Sequence, residues 1–248
     1  MEILVLGFCR LKLHDVPQIG GQMYLRDQTD LWGFIQNGKY EPEETEIIKK
    51  LVKAQDVCLD IGANIGYFTI LLAKKCKEVW AFEPEPSNFN MLMMNLMMND
   101  ISNVYTVKSA VSWESGTSKL YLCDKSHGMH RMYKSVHCKD SIDVKTVSID
   151  STGLRPNFIK VDAEGFEWNV LLGMCHTLDK YHPIVVMEFH PPSIEEAGHK
   201  PQAIYDQLKV LGYDIYLMPY IENTITFNKL YERTDNVSGG QSILCLPK

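Results

Sequence analysis

Long apolar runs are missing from this 248-residue sequence. Ile3 to Phe8 forms a short run at the N-terminus, well below the roughly 18 residues a membrane helix needs. Glu2 precedes it, and neither a basic start nor a small-residue cleavage site accompanies it, so it does not read as a secretory signal. A soluble protein is expected. Positive charge is also short, with 25 Lys and Arg against 31 Asp and Glu, a net of −6. That balance gives no general attraction to nucleic acid or to an anionic membrane, and neither is expected as a partner. The cysteines Cys9, Cys58, Cys76, Cys123, Cys138, Cys175 and Cys245 are odd in number and contain no C-x-x-C pair. They indicate neither a disulfide framework nor a zinc site, and a reducing, cytoplasmic compartment is expected. Internal repeats, heptads and low-complexity tracts are absent, as are the phosphate-reading patterns G-x-G-x-x-G and Gly-Lys-Ser/Thr.

What is present is a stretch from Val57 to Ala73 that reads as a buried strand, a glycine turn and an amphipathic helix. The apolar run ends at Ile61 because Gly62 follows, and Ile65, Phe68 and Leu72 then recur at helical spacing. Gly62 and Gly66 permit close backbone approach to a ligand, and the free amides of a helix start offer donors. Asp60 at the strand end would repel a pyrophosphate and welcome a cationic, amine-bearing ligand. D-x-G-x-N-x-G therefore points to S-adenosylmethionine rather than to a dinucleotide.

The length suits one domain, with residues 1–39 as an N-terminal extension, 40–248 as the main domain and an insertion at about 112–148. Ile3–Leu13 and Met23–Leu25 read as strands, Asp30 as the cap of a short helix ending at Asn37-Gly38, and Glu43 to Lys53 as a helix. From Asp56 onward strands and helices alternate. Val79–Glu83 is followed by a helix capped at Ser87, whose methionines read as core packing. Val104–Lys108, Asn157–Asp162 and Pro183–Phe189 read as further strands, and Ile215–Leu217 and Ser242–Leu246 as the last two. The insertion holds two half-exposed strands around a basic loop with His127, His130 and His137, which either stay solvated or line an acceptor pocket.

Such alternation predicts an α/β fold with an open, mostly parallel sheet, in which ligands bind at the carboxyl ends of the strands. Four strands end in an acid: Asp60, Glu83, Asp162 and Glu188. A row of carboxylates at one edge is costly unless a ligand there donates hydrogen bonds or positive charge. Glu83 follows Asp60 by 23 residues, the position from which an acid accepts ribose hydroxyls. Asp162, Glu164, Glu188 and His190 also offer the ligand types for a divalent ion, although no metal is expected on balance.

Asp60-Ile-Gly-Ala-Asn-Ile-Gly66-Tyr-Phe, Phe82-Glu83-Pro84 and Ile159-Lys160-Val-Asp162-Ala-Glu164-Gly165-Phe-Glu167 together resemble the FkbM family of S-adenosylmethionine-dependent methyltransferases. Gly38-Lys-Tyr40-Glu41-Pro42 resembles that family's entry segment. The resemblance implies a Rossmann-like class I methyltransferase fold with a seven-stranded sheet flanked by helices. It implies Asp60, Gly62, Asn64 and Gly66 around the methionine moiety and Glu83 with Pro84 at the ribose. Ser109 and Ala110 would lie beside the adenine, with Tyr40 and Glu41 closing over the cofactor and Asp162 contacting it. It further implies O-methylation of a small-molecule or glycan hydroxyl. A sugar hydroxyl needs a base within reach; Asp162 is the first candidate, with Glu188 and His190 the second pair. N-methylation, a non-sugar acceptor or a noncatalytic binding role are the alternatives.

Overall fold

The computed structural model describes residues 3–6, 9–26, 33, 35, 40–123, 129–218, 220–221, 224–225, 228–229 and 241–248. Apart from residues 33 and 35, the short helix expected over 31–36 lies outside them, as do His127 and most of the connection between Leu217 and Ser242.

Five strands run parallel: β4 (Val57–Ile61), β5 (Glu78–Phe82), β6 (Val104–Val107), β10 (Phe158–Val161) and β11 (Ile184–Phe189). β12 (Tyr213–Met218) and the antiparallel β16 (Gln241–Pro247) complete the seven, and the two-residue β15 (Asn228–Lys229) adds an edge. The order is β15-β12-β16-β11-β10-β4-β5-β6. The chain moves outward from β4 to β6 and then returns to β10 on the other side of β4. This reversal opens a crevice above β4 and β10, where open α/β sheets bind ligands.

Period-two alternation sorts the strand side chains into two cores. Cys58, Phe158, Val186 and Leu244 face one core, with the helices Pro42–Leu51, Tyr67–Ala73 and Pro86–Met98. Leu59, Ile61, Ile159, Val161, Val185, Met187, Ile243 and Cys245 face the other, with the helices Glu167–Leu172, Cys175–Tyr181 and Pro201–Val210. Burial of each large side chain contributes about 2 kcal/mol, and covering both faces explains why these strands read as near-continuous apolar runs.

An N-terminal antiparallel sheet, β1 (Ile3–Leu6), β2 (Cys9–Val16) and β3 (Gly21–Arg26), packs on the methionine-rich helix. Asn95, fully buried, accepts from the Tyr24 amide at 2.7 Å and donates to the Ile65 carbonyl at 2.8 Å. It ties that sheet to the glycine loop. The expected cap at Ser87 is displaced: Glu85 accepts from the Asn88 amide at 2.6 Å, while Ser87 accepts from Arg26. Met91 is buried, whereas Met93 and Met97 face solvent.

The insertion is a small sheet of β7 (Ala110–Val111), β8 (Gly116–Cys123) and β9 (Cys138–Val147). Its register sets Cys123 opposite Cys138, and the two are joined in a disulfide. This corrects the expectation of unpaired thiols; strand pairing brings together cysteines that are 15 residues apart. Among the described residues no helix is long and apolar enough to cross a membrane.

Candidate active site

The strand register fixes which acids share a level. Ile61 pairs with Phe82 on one side and Val161 on the other, and Val161 pairs with Met187. Glu83, Asp162 and Glu188 therefore follow one step beyond the same rung. Asp60 does not: it lies opposite Lys160, one residue below the rung. The expected row of four strand-end acids is thus three at the rim and one inside the sheet.

Asp60 is buried, and its Oδ2 accepts from Thr69 Oγ1 at 2.5 Å. Burial raises its carboxyl above the usual range, against the pull of Lys160 and the Thr69 hydroxyl. Asp60 Oδ1 and Asn64 Oδ1 are both buried without a hydrogen-bond partner among the described residues. Four of the loop's amides are satisfied within the protein. Gly62 and Ala63 donate to the Phe82 carbonyl at 3.0 Å each, Asn64 to Glu83 Oε2 at 2.9 Å, and Gly66 to Ala63 at 2.9 Å. On the strand side of the loop it is acceptors that are left over. That chemistry fits a ligand bearing an ammonium or other cation and not a phosphate.

Gly62 and Gly66 serve the fold before any ligand. At Gly62, φ +83°, a Cβ would lie 1.8 Å from the Asp162 carbonyl oxygen, and at Gly66, φ +97°, one would lie 2.7 Å from Leu92. Two strand-end loops cross at Gly62, and the Tyr67–Ala73 helix packs down at Gly66.

Three clefts meet at Asp162. The first spans about 610 Å³ including its open mouth and is walled by Gly62, Asn64, Glu83, Pro84, Ala110 and Asp162, with apolar Phe82, Val111, Phe166 and Val170. Glu83 Oε1 accepts from the Glu85 amide at 2.8 Å, and burial pushes this carboxyl up to about 8. A second, smaller cleft of about 260 Å³ is lined by Tyr40, Gly62, Asn64, Phe68, Lys160 and Asp162. The Tyr40, Tyr67 and Phe68 rings line it, Tyr67 meeting both others edge to face, with Tyr40 and Tyr67 centroids 4.9 Å apart. The third, about 460 Å³, is lined by Glu41, Glu44, Lys160, Asp162, Glu188, Gln241 and Ser242, with Val161 and Val186.

Lys160 holds the junction. Its ammonium lies 2.8 Å from Asp162 Oδ2, 3.8 Å from Glu41 and 4.3 Å from the Phe68 ring centroid. Burial works to lower its pKa, yet Asp162, Glu41 and Asp60 hold it well above the usual lysine range. Burial pushes Glu41 up to about 8 despite Lys160. Burial and the neighbouring acids raise Glu164 and Glu188 well above ordinary carboxylates. Asp162, Glu164 and Glu188 each offer an oxygen within 4.8 Å of the others.

Glu41 lines the third cleft, and Ser109 is buried while its neighbour Ala110 reaches the large cleft. His190 is outside the carboxylate group, its Nδ1 lying 2.6 Å from Ser193 Oγ. His130 and Met132, in the described part of the basic loop, line the large cleft, and His137 is exposed. Arg131, buried between them, binds Glu196, Ser135 and the backbone of Tyr121, while Tyr133 donates to the Glu164 carbonyl. Loop composition carried no signal for this docking, which rests on an ion pair 65 residues apart in sequence.

A profile of the methyltransferase FkbM domain matches residues 60–215. The hexuronic acid methyltransferase AglP of Haloferax volcanii is 29% identical over 182 residues, covering 71% of this chain and 73% of that protein. Methyltransferase sdnD of Sordaria araneosa is 28% identical over 194 residues, 63% of this chain and 73% of its own length. The FkbM methyltransferase of Methylobacillus flagellatus superposes with a TM-score of 0.51 at 16% identity, over 77% of this chain and 43% of that one. A putative methyltransferase of Streptococcus mutans in complex with SAH gives 0.50 at 11% identity, over 81% and 93%. The two structures show the shared Rossmann-like class I fold, and the profile, running from the glycine loop through the last parallel strand, shows that the chain belongs to the FkbM family of S-adenosylmethionine-dependent methyltransferases.

Proposed function

We propose that this protein is an S-adenosylmethionine-dependent O-methyltransferase acting on a hydroxyl of a sugar or glycan. The observation that carries the reading is the meeting of three clefts at Asp162. In this reading the large cleft takes the nucleoside, with Glu83 at the ribose and Pro84 and Ala110 beside the base. The small aromatic cleft takes the methionine end, where Asn64 Oδ1 accepts from its ammonium. The third cleft, lined by seven polar side chains and two valines, takes the acceptor. The hydroxyl-bearing acceptor class is supported by that polarity and by the sugar substrate in the name of one relative.

When bound, S-adenosylmethionine supplies an electrophilic methyl group on a sulfonium. The protein's part is to align the acceptor oxygen in line with that methyl, which can supply roughly 7 to 11 kcal/mol in well-oriented systems. As the carbon–oxygen bond forms and the carbon–sulfur bond breaks, the hydroxyl proton passes to a carboxylate. Asp162 and Glu188 stand at that position; Asp162 is oriented by Lys160, and Glu188 lines the acceptor cleft. A base works best with its pKa near the working pH, which a nearby cation would favour for Glu188 by opposing the upward shift that burial and the neighbouring acids give it.

The test is calorimetry with S-adenosylmethionine followed by a transfer screen over sugars and oligosaccharides. Binding to the wild type, its loss in Glu83→Ala, and retained binding with at least 100-fold slower transfer in Glu188→Gln or Asp162→Asn are expected. Unchanged affinity in Glu83→Ala would remove the cofactor assignment, and full turnover in both carboxylate variants would remove the base.

A further inference from the structure

We infer that the insertion belongs to the donor site: Met132, with Leu120 and His130 beside it, packs on the base of S-adenosylmethionine, and Arg131 is the positioning residue that holds Met132 there. This rests on the reading of the large cleft as the nucleoside site. Leu120, His130 and Met132 all line that cleft, yet they come from two separate segments of the insertion. Tyr121 and Arg131 bridge those segments as an antiparallel pair, Tyr121 donating to the Arg131 carbonyl at 2.7 Å and Arg131 to the Tyr121 carbonyl at 3.0 Å. One step from such a bridge the next residues face each other, and residues two apart share a face. Met132 therefore meets Leu120, with His130 on the same side of its segment, while Arg131 between them turns away to Glu196.

The segment is fixed around Met132. Arg131 is buried, and its guanidinium binds Glu196 and, at 3.2 Å, Ser135, whose hydroxyl donates to the same carboxylate at 2.7 Å. Tyr133 donates to the Glu164 carbonyl at 3.2 Å, and His130 Nδ1 accepts from the Cys123 amide at 3.2 Å. Met132 itself is half-buried, so it keeps apolar surface that a ligand can cover. Leu120, Val111, Phe166 and Val170 supply further apolar surface in the same cleft, whereas Asn64 and Glu83 bring polar groups suited to a ribose. A purine offers two apolar faces, and a methionine sulfur packs favourably on an aromatic ring. A side chain whose backbone is already anchored gives up little freedom when the ligand arrives, which is how a preorganised site gains affinity.

The experiment is calorimetry with S-adenosylhomocysteine, which needs no acceptor. Met132→Ala should weaken binding at least about fivefold, the loss of one apolar and sulfur–ring contact. Met132→Leu, which keeps the apolar wall, should stay within about twofold of the wild type. Met97→Ala, on an exposed helix position, should bind as the wild type does. Arg131→Met should lose at least as much as Met132→Ala, and Arg131→Lys should recover part of that loss. Wild-type affinity in a folded Met132→Ala would overturn the base contact, and an equal loss in Met132→Leu would show that the side chain's apolar surface is not what binds. Wild-type affinity in a folded Arg131→Met would overturn the positioning role; if that variant does not fold, Arg131→Lys and Glu196→Gln decide the same point, each expected to bind more weakly than the wild type. A wild-type protein that does not bind S-adenosylhomocysteine would remove the nucleoside reading of the cleft and this inference with it, whereas tight binding unmoved by the Met132 variants would remove this inference alone.

Discussion

Lys160 and Asp162, two residues apart on one strand, join ammonium to carboxylate at 2.8 Å with the lysine almost wholly buried. Side chains two apart on a strand share a face, so K-x-D can form this pair without help from a loop. Asp60, Glu41 and Phe68 then enclose the ammonium.

Removing that ammonium should be costly. Lys160→Met leaves Asp162 and Glu41 in place without their cation, and breaking a buried pair from one side costs about 3 to 5 kcal/mol. Urea unfolding at neutral pH should show a loss of that order, and the loss should shrink at acid pH as the carboxyls protonate. An unchanged midpoint would mean that the ion pair contributes little.

Gly62→Ala should destabilise more than Gly153→Ala, although both glycines have positive φ, +83° and +72°. The left-handed backbone alone costs an alanine about 1 to 2 kcal/mol. At Gly153 nothing lies within 4 Å of an added Cβ, whereas at Gly62 the Asp162 carbonyl lies at 1.8 Å. Thermal unfolding of the two variants should separate the backbone cost from the collision. Equal losses would show that the crossing of the two loops relaxes freely.

Stability of the cofactor-free protein should fall as pH rises from about 5 to 8. Burial holds Glu83 and Glu41 up at about 8 and Glu167 at about 7. The folded state therefore keeps protons that the unfolded chain has already released. The penalty begins above the ordinary glutamate pKa, grows through this window and levels off above the folded values. His190 and His199, held below the usual histidine value by burial, oppose it near pH 6. Thermal midpoints across the window provide the check, and a midpoint that climbs steadily to pH 8 would contradict it.

The order of strands and helices was legible because Val57–Ile61, Glu78–Phe82 and Phe158–Val161 are largely apolar runs closed by Gly62, Glu83 and Asp162. The class of donor was legible too, since Asp60 before Gly62 disfavours a phosphate. Depth was not legible. Asp60 and Glu83 look equivalent as strand-end acids, yet register sets Asp60 one residue below the rim, beside Lys160.

The sequence by itself determined the parallel sheet, its glycine loop and the family, because those depend on local periodicity and on residues close together in the chain. Tertiary structure alone decided that the amides of Gly62, Ala63 and Asn64 are taken by Phe82 and Glu83 beside the neighbouring strand. It also decided that Arg131 pairs with Glu196 while His130 and Met132 reach the large cleft, and that Glu41 and Glu44 join Glu188 in the third. These contacts link residues far apart along the chain, and only packing brings such charges within reach of one another.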